Sequence, residues 1–184
     1  HMGFFRSWGA PFGYSPGEAR GGKTYKPIKN LSIDSIKKIS TERMIHPGEV
    51  IEEASNEFAA FLGHDKDEDV AETLTYAIRE IVRNSFEHSC ANSIWMVGQY
   101  WSTYDKVEIA IVDSGIGILK SLKGNPKLII NDDENALHQA IQPGISGKLI
   151  GNKQRRGLVR DDWSNSGYGL FVTSKLCQKG GTYA

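Results

Sequence analysis

Glu80 and Asn84 stand four residues apart in Arg79-Glu80-Ile81-Val82-Arg83-Asn84, a spacing that puts both on one face of a helix. A carboxylate can take a proton from water. A neutral amide can join a hydrated magnesium ion, which binds few protein oxygens and fills its shell with water and substrate phosphates. The same pair is also common on a solvated helix face. A second group, Asp113-Ser114-Gly115-Ile116-Gly117-Ile118, ends a strongly apolar run. An aspartate there can accept a hydrogen bond from an exocyclic amine, and the glycines let a flat ligand approach the backbone. A plain turn with glycines at positive φ fits those residues equally. In the third group, Ser166-Gly167-Tyr168-Gly169-Leu170, glycines lead straight into an amphipathic segment. Free N–H groups at a helix start suit a phosphate, although one Gly-x-Gly carries little information alone. Lys148, Lys153, Arg155, Arg156 and Arg160 form a stretch without acidic residues, able to meet a triphosphate or simply to be solvated.

The elements that would position these groups can be read from periodicity. Residues 1–30 form an irregular arm whose aromatics (Phe4, Phe5, Trp8, Phe12, Tyr14) would pack on the domain or on a second subunit, giving a homodimer; His1-Met2 reads as a remnant of tag removal. The domain proper is placed at residues 31–184. Leu31 to Ile36 alternates and predicts a strand. Pro47-Gly48 opens a helix that ends at Gly63, and Val70 to Ser89 predicts a second helix with Leu74, Ile78, Ile81, Val82, Ser85 and Phe86 on one face. Ser93 to Ser102 and Lys106 to Asp113 predict two strands joined by a turn at Thr103-Tyr104-Asp105. A long polar segment at 119–166 carries one short helix, Glu134 to Ile141, and a last helix covers Leu170 to Cys177. His88, near a helix end, reads as a cap or a phosphate contact. Cys90 and Cys177 follow apolar helical patterns and predict buried, reduced thiols.

In chain order these features are a helix with Glu-x-x-x-Asn, a strand ending Asp-x-Gly-x-Gly, a long segment, then Gly-x-Gly-Leu before a helix. That order resembles the GHKL ATPases, the family of gyrase B, MutL, the ninety-kilodalton heat-shock chaperones and the sensor histidine kinases, over residues 70–181. The resemblance implies an α+β fold, the Bergerat two-layer α/β sandwich, with a mixed, mostly antiparallel sheet and an ATP lid at 119–166. The family's one or two further strands are expected to be missing after Thr182. It implies ATP and Mg²⁺ as ligands, Glu80 as the general base, Asn84 as the metal ligand and Asp113 as the adenine-reading carboxylate. It further implies Gly115 and Gly117 as the first glycine box, and Ser166, Gly167, Tyr168, Gly169 and Leu170, with Lys148, around the phosphates. Gly180-Gly181 resembles the glycine turn before a family strand.

Other chemistries lack their spacing. No paired Cys/His ligands suggest zinc, Asp113-Ser114-Gly115 is not a nucleophile elbow, and Gln142 to Lys148 is not a Walker A loop. Lysine plus arginine and aspartate plus glutamate are both 22, so zero net charge and the lack of a basic recognition helix argue against nucleic acid. No apolar run approaches the roughly 20 residues that span a bilayer, so a cytoplasmic chain without membrane contact is expected. Three functions compete: an ATPase that switches a protein partner or a further domain, a protein kinase, and a nucleotide sensor without turnover. For a histidine kinase the phosphoacceptor box is missing, since His46-Pro47 lacks its context; a serine kinase of the anti-sigma kind needs only a partner.

Overall fold

Ser32 is both the last residue of the first strand and the cap of the first helix, because its side chain accepts a hydrogen bond from the Ser35 N–H at 3.4 Å. The computed structural model describes residues 11, 21–63, 68–147 and 167–180. In chain order these form β1 (Tyr25–Ser32), α1 (Ile33–Arg43), α2 (Pro47–Leu62), α3 (Glu68–His88), β2 (Ser93–Trp101), β3 (Lys106–Asp113), α4 (Gly117–Lys123), α5 (Asp133–Ala140) and α6 (Gly169–Gly180). Among the described residues this is an α+β structure of six helices and one antiparallel sheet in the order β1-β2-β3.

The strand predicted at Leu31 to Ile36 is corrected: it ends at Ser32, and Ile33 starts a helix. Ile33 and Ile36, three apart, are the buried residues of α1, so the apparent alternation joined Leu31, the end of the strand, to the start of a helical period at Ile33. The end of the supposed arm is also corrected, since Tyr25 to Asn30 belongs to β1. Nothing local announces that strand; Tyr25 pairs with Gln99 and Asn30 with Trp95, far along the chain. Pro27 is tolerated because the register slips between Lys26 and Lys29 on this outer strand.

Helix α2 begins at Pro47 with His46 as its cap, whose Nδ1 accepts from the Gly48 N–H at 3.0 Å while Glu49 accepts from the His46 N–H at 3.1 Å. Phe58, Ile51 and Leu62 of α2 meet Ile78 and Val82 of α3 and Ile94 and Met96 of β2 in the main core. A smaller cluster gathers Leu122, Ile130, Ala136 and Ala140, with Ile145 and Leu170 against it, and so ties α4 and α5 to the start of α6. Helix α4 lies in the segment read as one polar run with a single helix; its seven residues are too few to show a period. Helix α6 runs through Gly180, past the predicted end at Cys177. The rest of the lid, 148–166, and everything after Gly180 lie outside the described residues.

Both cysteines are exposed, which overturns the expectation of buried thiols. Cys90 follows the end of α3 with φ of 56°, a turn that carries its side chain off the helix's buried face, and Cys177 falls beside the exposed Lys175 and Gln178. Among the described residues no helix is long and apolar enough to cross a membrane.

Lys29 and Lys26 of β1 donate to Glu57 of α2 at 2.5 and 2.9 Å, and these bonds pull the Glu57 carboxyl from 4.5 down to about 2. A carboxyl whose pKa is lower folded than unfolded stabilises fully above its unfolded value and loses that contribution as pH falls through the folded one. Glu57 is half exposed, so screening limits each pair to about 1 kcal/mol or less. The urea midpoint of the parent should therefore exceed that of Glu57→Gln at about pH 6, with the gap closing between about pH 4.5 and 2. A gap that ignores pH would show that the pairs contribute nothing.

Candidate functional site

Alternation along β3 places Asp113. Val107, Ile109 and Ile111 are half-buried while Lys106, Glu108, Ala110 and Val112 are exposed, and Asp113 continues the inward phase. Its carboxylate is held at both oxygens. Ser85 of α3 donates its hydroxyl to Oδ2 at 2.6 Å, and the Gly115 N–H donates to Oδ1 at 2.8 Å. An ionised carboxylate has about four acceptor positions, so capacity for a ligand donor remains at each oxygen.

Asp113 lies on the wall of a cavity of about 250 Å³. Helix α3 supplies a stripe to it, Ile81, Asn84, Ser85 and His88, at the spacing of one helical face, and Ser89 just past its end continues that wall. Ile111, Ile118, Leu122, Ile145 and Leu170 give the walls an apolar character suited to a flat ring. Gly167 and Gly169 close the end at α6. That volume lies just below the roughly 300–1,000 Å³ of small-molecule sites, so the cavity suits a ligand of about one ring system.

The four glycines serve different needs. Gly117 has φ of 75° and open space beside its Cα on the cavity wall, so it is the position where a ligand can approach the backbone. Gly115 faces protein instead. A side chain there would meet the Ser89 carbonyl carbon at 2.7 Å, with the Ser89 oxygen nearer still, because the Ile116 N–H donates to that oxygen at 2.7 Å. Gly115→Ala is accordingly expected to lower stability by about 3 kcal/mol by prying the β3–α4 turn from the end of α3. A urea midpoint equal to the parent's would mean the turn shifts freely.

Gly167 has φ of 74° and packs on Gly144 and Ile145, and its carbonyl accepts from the Gly144 N–H at 3.0 Å. Gly169 packs on Glu80, whose Oε2 a side chain at 169 would strike. At the start of α6 the Tyr168 carbonyl accepts from the Val172 N–H at 2.9 Å, so Tyr168 acts as the cap residue and the first N–H groups of α6 have no helical acceptor.

Of the residues predicted from sequence, Asn84, Asp113, Gly117, Gly167, Gly169 and Leu170 line the one cavity. Glu80, Gly115 and Tyr168 are not on its wall. Glu80 lies one turn before Asn84, buried under Gly169, and Tyr168 is exposed. Ser166 and Lys148 lie outside the described residues, as do Lys153, Arg155, Arg156 and Arg160. Sequence reasoning missed Ser121, Ser146 and above all Ser85, which was assigned to the apolar face without a role. A hydroxyl at a buried position of an amphipathic helix was the available signal.

Glu80 Oε1 lies 3.4 Å from Arg79 Nη2 and 3.7 Å from Arg83 Nη1. Arg83 Nε donates to Glu87 Oε1 at 2.9 Å, and Arg79 Nη1 reaches Glu52 of α2 at 3.8 Å. Burial, and next the Glu80 charge, raise the neighbouring Tyr76 phenol above its usual 10.0. No trio of acidic, histidine or cysteine side chains able to cage a metal occurs among the described residues. Asn84 lines the cavity, and its Oδ1 is the amide atom able to join a metal; its buried Nδ2 has no hydrogen-bond partner among the described residues but is a donor and cannot ligate a cation. One neutral amide fits an ion held mostly by water and phosphates, since Mg²⁺ asks little more of a protein.

No family model, curated protein or solved structure matches this chain.

Proposed function

We propose that this chain is a Mg²⁺-dependent ATP-binding domain of the GHKL kind, with the Bergerat fold, and that it hydrolyses ATP to switch its conformation or its hold on a protein partner. One observation carries the reading: motifs some 30 and 50 residues apart in the chain, around Asn84, Asp113–Gly117 and Gly167–Leu170, converge on a single cavity. In this reading the base lies between apolar walls with its exocyclic amine donating to Asp113. The phosphates run toward the free N–H groups of α6, whose dipole favours negative charge. Ser166 and Lys148 are assigned to the same end. Asn84 would hold the metal, which when bound neutralises phosphate charge and orients the leaving group. Glu80, against Gly169 at that end, takes a proton as water attacks the γ-phosphorus. The bond to the ADP oxygen breaks, and ADP and phosphate leave.

Incubation with γ-labelled ATP and Mg²⁺, with bound nucleotide, free phosphate and protein-bound phosphate scored over time, tests the reading. Steady free phosphate is the expected result. Failure to bind ATP would end it.

A second reading, a nucleotide sensor without turnover, is favoured by the burial of Glu80 off the cavity wall with Oε1 turned to two arginines. Bound ATP with no released phosphate would select it.

A further inference from the structure

The ion pairs around Glu80 move no proton in the reaction, and both are made to the same carboxylate oxygen, Oε1. We propose that Arg79 is a positioning residue for the Glu80 carboxylate, an inference that rests on reading Glu80 as the base. The terminal torsion of a glutamate is broad, so burial alone does not orient its two oxygens. Here Oε1 accepts from Arg79 Nη2 at 3.4 Å, which leaves Oε2 against Gly169, the first residue of α6 and the end assigned to the phosphates.

Arg79 is itself fixed from several sides. Its guanidinium carbon lies 5.2 Å from the centroid of the Tyr76 ring, and its Nη1 is 3.8 Å from Glu52 on α2. Its Nε is buried without a partner among the described residues, so the two terminal nitrogens set its orientation, each facing a carboxylate from a different helix. Arg83 is less suited to the task. It spends Nε on Glu87 at 2.9 Å and approaches Glu80 only to 3.7 Å. Arg79 thus does two things: it turns one oxygen of Glu80 toward the start of α6, and it anchors that orientation to α2.

The test uses the full chain with ATP and Mg²⁺. Arg79→Ala is expected to lower kcat by about tenfold or more while KM for ATP stays within about twofold, and Arg79→Lys should restore part of the loss by offering one donor to Oε1. Thermal melting of Arg79→Ala, Glu80→Gln and the double variant without nucleotide supplies a second readout, in which the two losses are expected to be less than additive. Parental kcat in Arg79→Ala, beside an inactive Glu80→Ala, overturns the inference alone, as do strictly additive melting losses. If the parent binds ATP without releasing phosphate, or Glu80→Ala turns over normally, the reading of Glu80 as base falls and takes the positioning role with it.

Discussion

Glu80→Ala is expected to reduce ATP turnover by about 10²–10⁴-fold and to leave ATP affinity within a few-fold of the parent. The position of Glu80 accounts for both effects. Glu80 is 5% exposed and absent from the cavity wall, so it makes no contact that would hold a nucleotide in its ground state. Its Oε2 nevertheless abuts Gly169, which does line the cavity, and a carboxylate there is the nearest acidic group to the start of α6 among the predicted site residues. Loss of the carboxylate also strips Arg79 and Arg83 of a shared partner, and Arg83 is buried, so the alanine variant should lose stability as well. Glu80→Gln, which keeps the volume and an acceptor, separates the two effects. Steady-state phosphate release and calorimetric titration measure them, and turnover within about tenfold of the parent in both variants would remove Glu80 as the base.

Asp113→Asn is expected to weaken ATP binding by about 10–100-fold, equivalent to about 1.4–2.8 kcal/mol, with the fold intact. The carboxylate accepts from Ser85 at 2.6 Å and from the Gly115 N–H at 2.8 Å and offers further acceptor positions into the cavity. An amide accepts at one atom only. Its nitrogen would have to face either Ser85, whose hydroxyl can rotate to accept, or Gly115, whose N–H cannot. The fold survives by the first choice, and the ligand then meets a donor or a neutral oxygen where a charged acceptor stood. Calorimetry of ATP against parent and variant reads this directly, and unchanged affinity would exclude Asp113 from the base's site.

Much of this arrangement was written locally. The period of α3 put Ile81, Asn84 and Ser85 on a single stripe, and the alternation of β3 carried Asp113 to the same side as Val107, Ile109 and Ile111. Those patterns are legible because burial on one face imposes a repeat that neighbours in sequence must share. The pairing of β1 was not legible, because Tyr25 to Asn30 has no repeat of its own and becomes a strand through hydrogen bonds to β2. The exposure of the cysteines was equally hidden, decided for Cys90 by a left-handed turn after α3.

The sequence by itself determined which residues could do chemistry and, through its repeats, which face of α3 and β3 each would occupy. Only the tertiary structure decided how the glycines divide. Gly115 is demanded by the Ser89 backbone, Gly169 by the Glu80 carboxylate, and Gly117 by its own φ beside open space. It also decided that Glu80 would be held by Arg79 and Arg83 beneath α6 and not displayed on the wall with Asn84. The reason is that close approach between segments distant in the chain depends on how helices and sheet stack, and a residue's type carries no record of which neighbour it will meet.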